Sequence, residues 1–422
     1  MNTAIAHSIV TAAAVFTKPV SAAAVRFPRA ATATATATAL PRHHQSQRGA
    51  TTLFAIENKA LFHSCRQLNI NQKSIDTRNK MGKYEILALE NPLLDIQAVG
   101  DQALLDKYGL KPNDAILAEE KHMGIYEDLI NRKADFNAGG AAQNTARGAQ
   151  YILPEDSVVF VGCVGKDKYA DLLVEANKKV GLHTVYRVDE EQPTGRCGVV
   201  ITGHDRSMCT DLAAANCYKV EHLKENWDLV KQAKLYFVGG YHLTVSVPAI
   251  MALAEEAAKE NKIFMLSLSA PFIPQFFKDQ LDQTAPYWDY VVGNETEARS
   301  YAASHDLNTE DIPTIARHLA QLPKANSQRK RTVIITQGTD PTVVAVQDED
   351  KVHEFPVHAI DKSEIADTTG AGDAFAGGFV AGVAKGESLK TCVDMGQWLA
   401  HLSIKELGPA YPFPKQTYSA TN

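Results

Sequence analysis

From Tyr84 onward, short β-branched apolar runs alternate with stretches whose apolar residues recur every three to four positions. The short runs, bounded by Gly, Pro or Asn, predict strands at 85–89, 158–164, 198–202, 235–239, 264–268, 290–292, 332–336 and 342–346. The periodic stretches predict helices at 141–153, 169–180, 248–260, 295–304, 312–321 and 373–385. Such alternation gives a largely parallel sheet with helices on both faces and active groups beyond the strand carboxyl ends. Two stretches break the rhythm. Residues 92–137 are loop-rich, and 192–216 read as a strand, a polar turn and an extended run, so together they predict a small second layer.

Composition bounds this picture. The chain has 422 residues, 45% hydrophobic and 22% charged, as in ordinary globular proteins. It has no apolar run of eighteen residues from which a spanning helix would be expected. Six cysteines (65, 163, 197, 209, 217, 392) form no C-x-x-C pair, which predicts reduced thiols rather than a metal site. Charge is uneven. Residues 1–80 carry ten Lys/Arg against Glu57 and Asp76 only, leaving 33 basic and 47 acidic residues in 81–422. An acidic body argues against nucleic acid as a partner. The Ala/Thr-rich first eighty residues have transit-peptide composition, yet alternating Thr is a poor helix former and no amphipathic face persists. We expect a disordered leader or upstream extension, a body from Met81 onward, and a monomer in the cytosol.

The candidate chemistry gathers at glycines. In Asp367-Thr368-Thr369-Gly370-Ala371-Gly372-Asp373, a glycine turn feeds a helix whose first N–H groups and positive dipole end face an anion. Asp373 stands where a carboxylate meets whatever that anion reacts with, which suits phosphoryl transfer to a hydroxyl. The helix N-terminus is expected to keep Asp373 ionised. The alternative is a tight turn with a capping acid. No Gly-x4-Gly-Lys-Ser/Thr string occurs, which excludes a P-loop. Asn91-Pro92-Leu93-Leu94-Asp95 leaves the first strand at Pro92, and Asp95 is placed to read a vicinal diol or else to cap the helix at 102–108. Ala138-Gly139-Gly140-Ala141-Ala142-Gln143-Asn144 is a second glycine turn opening a helix. Asn294 and Glu297, three apart, share a helix face and suit an indirectly held Mg²⁺, or a capping box, or both.

These two glycine turns resemble the signatures of the ribokinase-like (PfkB) carbohydrate and nucleoside kinases, and the likeness extends from Met81 to about Pro414. It implies an α/β, three-layer fold with a mainly parallel central sheet and a lid from about 92–137 and 192–216. With the runs Asn91–Asp95, Leu212–Asn216, Leu268–Phe272 and Gly293–Ala298, the likeness narrows to nucleoside-phosphorylating members and implies ATP as donor, Mg²⁺, and adenosine as acceptor, phosphorylated at the ribose 5′-hydroxyl. On that pattern Asp373 is the base, Gly370, Ala371 and Gly372 hold the transferring phosphoryl group, and Arg206 closes over it. Asn91, Asp95, Gly139, Gly140 and Asn144 bind the nucleoside, with Ile116, Leu117, Met208, Leu212, Tyr241 and Phe276 walling its base. Asn294, Thr336 and Gly338 serve the donor, and Asn294 with Glu297 the Mg²⁺. Two positions depart from animal members: His242 replaces a base-stacking phenylalanine, and Gln397 a histidine beside the donor base. A kinase for another nucleoside or a sugar, or a non-catalytic nucleoside binder, stays open at this level.

Overall fold

The computed structural model describes residues 84–112, 115–203 and 205–420. The expected leader and Cys65 lie outside them. Among the described residues, fourteen strands form two sheets. Seven strands of the large sheet are parallel: β1 (Ile86–Leu89), β5 (Val158–Gly165), β6 (His183–Asp189), β9 (Leu235–Gly239), β10 (Ile263–Ser267), β11 (Tyr290–Asn294) and β12 (Thr332–Gln337). Antiparallel β13 (Asp340–Val346) and β14 (His353–Phe355) complete it. The order across the sheet is β14-β13-β12-β11-β10-β9-β1-β5-β6. The chain therefore begins in the middle and spreads both ways, and the order reverses at β1. Ligands of open α/β sheets bind outside the strand carboxyl ends at such a reversal.

The apolar reading of β1 follows from burial on both sides. Leu87 and Leu89 pack with Tyr236 and Val238 under the helices Val247–Glu260, Glu295–Ser304 and Ile312–Ala320. Ile86 and Ala88 point the other way, with Leu235 and Phe237, onto the helices Ala141–Ile152, Ala371–Lys385 and Leu389–Ser403. Arg331 is fully enclosed and donates to the carbonyls of Ala285, Trp288, Leu319, Leu322 and Pro323, tying strand, helix and loop together. The five described cysteines are free thiols.

The second sheet has the order β3-β8-β7-β2-β4, from β2 (Leu93–Val99), β3 (Ala115–Leu117), β4 (Asp135–Gly139), β7 (Arg196–Thr202) and β8 (Asp205–Asp211). The stretch read as loop-rich thus holds three strands. Ala115–Leu117 and Asp135–Gly139 are short and half-exposed, where polar residues such as Asp135 and Asn137 broke the apolar signal, and the longer Leu93–Val99 is interrupted by Asp95 and Gln97. Asp95 is the third residue of β2 and not a strand-end residue, while Asp101 caps the helix Gln102–Tyr108. The capping alternative for Asp95 is therefore closed.

Candidate active site

Each catalytic-type side chain is carried to the reversal at β1 by the end of an element. β1 delivers Glu90 and Asn91, β9 delivers Gly239, and β11 delivers Asn294. Gly370, at φ 77°, turns the chain into the helix Ala371–Lys385, so Asp373 is the third helical residue. The Gly372 and Asp373 N–H groups sit in the first turn with no carbonyl behind them. The Ala371 N–H donates to Thr368 O at 3.2 Å, so the anion cradle expected from three consecutive N–H groups is narrower than the sequence suggested. A Cβ on Gly372 would meet nothing within 4 Å, which leaves its backbone open to the cleft.

Asp373 lies on a cleft shared with Ala141, Gly239, Asn294, Glu297, Thr336 and Gly372. Its Oδ2 accepts from Asn144 Nδ2 at 2.9 Å. Arg147, buried one turn further along the same helix, fixes that amide by donating to Asn144 Oδ1 at 2.6 Å, and also donates to Ala138 O and Pro409 O. The expected helix-end preference for the ionised carboxylate is overturned. Burial pushes Asp373 up to about 7, against the Asn144 hydrogen bond and the Arg147 charge. A helix terminus contributes at most about 1–2 kcal/mol, and the desolvation of this partly buried carboxyl outweighs it, since burial can shift carboxyls by up to about 3–5 pKa units at its limit. Burial also raises Glu90 to about 8, Asp95 to about 7 and Glu297 to about 7, and the Asp373 charge adds to each.

The acceptor-side pocket is lined by Glu90, Asn91, Ile116, Leu117, Gly140, Met208, Leu212, Tyr241 and Phe272. The sequence reading placed Phe276 here. It is 52% exposed instead, and Phe272 takes the place, 5.8 Å from the Tyr241 ring. The two sit at opposite ends of the single turn Phe272–Phe276, about 6 Å apart along its axis, a displacement the sequence alone does not resolve. Gly140, at φ 89°, brings the helix start against the chain at Asn91: a Cβ would lie 2.4 Å from Asn91 O. Asp95 nests against Gly139, where a Cβ would lie 2.2 Å from its Oδ1. His242 does not reach the pocket. It is buried edge-on to Tyr218, and its Nδ1 lies 3.0 Å from Asn91 Oδ1. Burial holds it neutral, down to about 3. The donated Nδ1–H fixes Asn91 and leaves the buried Asn91 Nδ2 without a protein partner.

On the other side a larger pocket opens between Thr336, Gly338, Thr342, His358, Phe375, Gln397 and His401, and meets the cleft at Thr336 and Gly372. His358 is held by Asp394, which also accepts from Tyr418 near the carboxyl terminus. Asn294 and Glu297 form a reciprocal capping box: Asn294 Oδ1 accepts from the Glu297 N–H, and Glu297 accepts from the Asn294 N–H and Nδ2. Arg206, on β8, lies 3.5 Å from the buried carboxylate of Asp367, which itself receives the Thr369 and Gly408 N–H groups. Of the expected residues, Asn91, Ile116, Leu117, Gly140, Leu212 and Tyr241 line one pocket and Asn294, Glu297, Thr336, Gly372 and Asp373 the adjoining cleft, while Asp95, Gly139 and Arg206 line neither, and Phe276 and His242 lie elsewhere. Sequence reasoning missed Glu90, Arg147, Gly239 and Phe272, whose proximity is created by chain crossings and by no motif.

The fold and its paired pockets at the switch point define the class, a ribokinase-like α/β protein. The model of the pfkB family carbohydrate kinases matches residues 102–416. Adenosine kinase of Schizosaccharomyces pombe is 47% identical over 342 residues, 80% of this chain and 99% of the relative. Adenosine kinase of Saccharomyces cerevisiae is 47% identical over 341 residues, 79% of this chain and 98% of the relative. Among solved structures, Anopheles gambiae adenosine kinase in complex with P1,P4-di(adenosine-5) tetraphosphate is 44% identical, with TM-score 0.75, covering 76% of this chain and 96% of that one. Schistosoma mansoni adenosine kinase in complex with adenosine is 33% identical, with TM-score 0.75, covering 78% and 98%. The chain belongs to the pfkB family of carbohydrate kinases, in its adenosine kinase branch.

Proposed function

We propose that this chain transfers the terminal phosphoryl group of ATP to the ribose 5′-hydroxyl of adenosine, giving AMP and ADP. One observation carries the reading: Asp373, oriented by Asn144, sits between an apolar pocket walled by Ile116, Leu117, Leu212 and Tyr241 and a second pocket at the same helix N-terminus. The 5′-oxygen attacks the terminal phosphorus, the bond to the bridging oxygen breaks, and the hydroxyl proton passes to Asp373. A carboxyl near 7 suits that exchange at neutral pH. The Gly372 and Asp373 N–H groups face the charge on the moving group, and Gly370 sets their direction. Asp95 accepts no hydrogen bond from the described residues, leaving both its oxygens for the 2′- and 3′-hydroxyls. Asn91, Gly139, Gly140 and Asn144 complete the ribose cradle. Ile116, Leu117, Leu212, Tyr241 and Phe272 enclose the base. The donor nucleotide lies along Thr336 and Gly338.

Asn294 and Glu297 fit Mg²⁺ through its water shell, because their oxygens are already engaged in the capping box. Mg²⁺, when bound, offsets charge on the donor phosphates. Arg206 ties the lid sheet to the Asp367 loop that leads into the helix of Asp373. No helix among the described residues is long and apolar enough to cross a membrane. We read the working protein as a cytosolic monomer whose kinase body starts near Met81, with 1–80 as a dispensable leader.

The test is an ATP-coupled assay of the full chain on adenosine, inosine, guanosine and ribose. Adenosine is expected to turn over at least tenfold more efficiently than the rest. Preference for ribose or inosine would overturn the acceptor assignment, and no turnover with any of them would leave a binder.

A further inference from the structure

Glu90 has no part in the reading above, yet it is placed like a ligand group. It follows β1 directly, is 1% exposed, and lines the acceptor pocket. Its Oε2 accepts the Ala142 N–H at 2.7 Å, on the first turn of the helix that carries Asn144. Its Oε1 is buried and completes no hydrogen bond of normal geometry, though the Tyr241 N–H faces the carboxyl. Space for this carboxyl is made by Gly239 at the end of β9: a Cβ there would lie 1.6 Å from Oε1. A methyl-sized side chain at 239 would therefore forbid the present position of Glu90. Ala142 and Gly239 both face the Asp373 cleft, so Glu90 stands where the acceptor pocket meets the reacting end. Its chain neighbour Asn91 likewise holds one polar atom fixed, on His242, and one unpartnered.

An unpaired polar atom buried in a protein costs roughly 1–3 kcal/mol, so a structure that anchors one oxygen and orphans its twin calls for a partner from outside. We propose that Glu90 is an additional acceptor-binding residue, whose Oε1 makes a hydrogen bond to the bound nucleoside while Oε2 holds the helix start. This deepens, and rests on, the nucleoside kinase reading.

The direction of that bond follows from the surroundings. Burial is the largest influence on Glu90. Asp373, on the helix opposite, adds negative charge, and the Ala142 and Tyr241 N–H groups oppose both without cancelling them. His242, behind Asn91, is neutral and supplies no compensating charge. Glu90 is raised to about 8 and carries a proton at neutral pH, so it donates, and its partner on the nucleoside is a lone pair.

Equilibrium adenosine binding without ATP, followed by steady-state kinetics across pH 6–9.5, tests this on the full chain and two variants. Glu90→Ala should weaken adenosine binding about tenfold and change the ATP KM less than twofold, as loss of one buried hydrogen bond implies. Glu90→Gln keeps an acceptor for the Ala142 N–H and a donor for the pocket, so it should bind adenosine within about threefold of the unchanged chain. Adenosine affinity of the unchanged chain should fall above about pH 8, and that fall should be absent in Glu90→Gln. Wild-type affinity in Glu90→Ala, an equal loss for both substrates, or an unchanged alkaline fall in Glu90→Gln would each overturn the proposal. If Glu90→Ala does not fold, the Glu90→Gln comparison still decides. Failure of the unchanged chain to phosphorylate adenosine would instead sink the functional reading itself, whatever the variants do.

Discussion

Replacing Asp373 by Asn should cost nearly all turnover and, at the same time, stabilise the protein. The side chain keeps its shape, and its amide oxygen can still accept from Asn144 Nδ2, whose orientation Arg147 fixes from the other side. What disappears is the ability to take the hydroxyl proton, for which a loss of about 10²–10⁴ in kcat is expected with a small change in adenosine KM. The stability gain follows from the carboxyl's raised value in the folded state, about 7 against an ordinary 3.8. Below about pH 4 both states are protonated and the residue costs nothing. As pH rises from about 4 through about 7, the unfolded chain releases the proton before the folded one does, so stability falls, and the loss is complete above that range. Three pKa units correspond to about 4 kcal/mol as a ceiling. Asp373 is partly exposed where it lines the cleft, so screening reduces this to about 1–2 kcal/mol. Asn cannot ionise and escapes that cost. Melting curves at pH 5 and pH 8 should therefore show a gap between variant and parent of about 3 °C at the higher pH and roughly a third of that at the lower, where the unfolded carboxyl is already ionised. Near-normal turnover would refute Asp373 as the proton acceptor. A stability gap independent of pH would refute the account of its burial.

Asp95→Ala should raise the adenosine KM at least tenfold while the ATP KM moves less than twofold, measured by varying each substrate; the reverse pattern would misplace the acceptor site. Gly140→Ala forces a Cβ to 2.4 Å from a backbone oxygen at φ 89°, so urea titration should show a loss of roughly 2–4 kcal/mol together with weaker adenosine binding. Arg331→Met leaves five carbonyls without their donor in a region far from the cleft, so the unfolding free energy should drop by about 3 kcal/mol or more while KM values of the folded protein hold. A chain starting at Met81 should phosphorylate adenosine at the rate of the full chain, and a slower one would give residues 1–80 a role in the kinase.

Most of the large sheet was legible because β1, β9, β10, β11 and β12 are buried on both faces, which forces continuous apolar runs, whereas the half-buried edge strands β6 and β14 were missed. The second sheet was legible in part: a second layer and the strand at 198–202 were expected, but strands such as Asp135–Gly139 keep one side in water and mix polar with apolar residues. The site divides the same way. Gly370, Gly372, Asp373, Gly140, Asn144 and Asp95 were legible because backbone that approaches a ligand needs glycine, and glycine next to a carboxylate or amide forms a local string. Local chemistry also misled: a helix N-terminus predicts an ionised Asp373, and only the enclosed cleft shows that burial outweighs it. His242 read as a wall of the base pocket, yet it packs behind Asn91 and orients that amide.

By itself, then, the sequence determined the alternation of elements, the two glycine turns and the residue types able to carry phosphoryl transfer, because those depend on neighbours within a few positions. The tertiary structure decided which of them face one another. Arg147 reaches Pro409, Asp373 reaches Asn144, and Glu90 fits only because Gly239, 149 positions away, lacks a side chain. Such contacts depend on strand order and helix phase, which are set when the whole core packs. Carboxyl groups that read as four separate acids along the chain acquire their raised affinity for protons only after that packing removes water from around them.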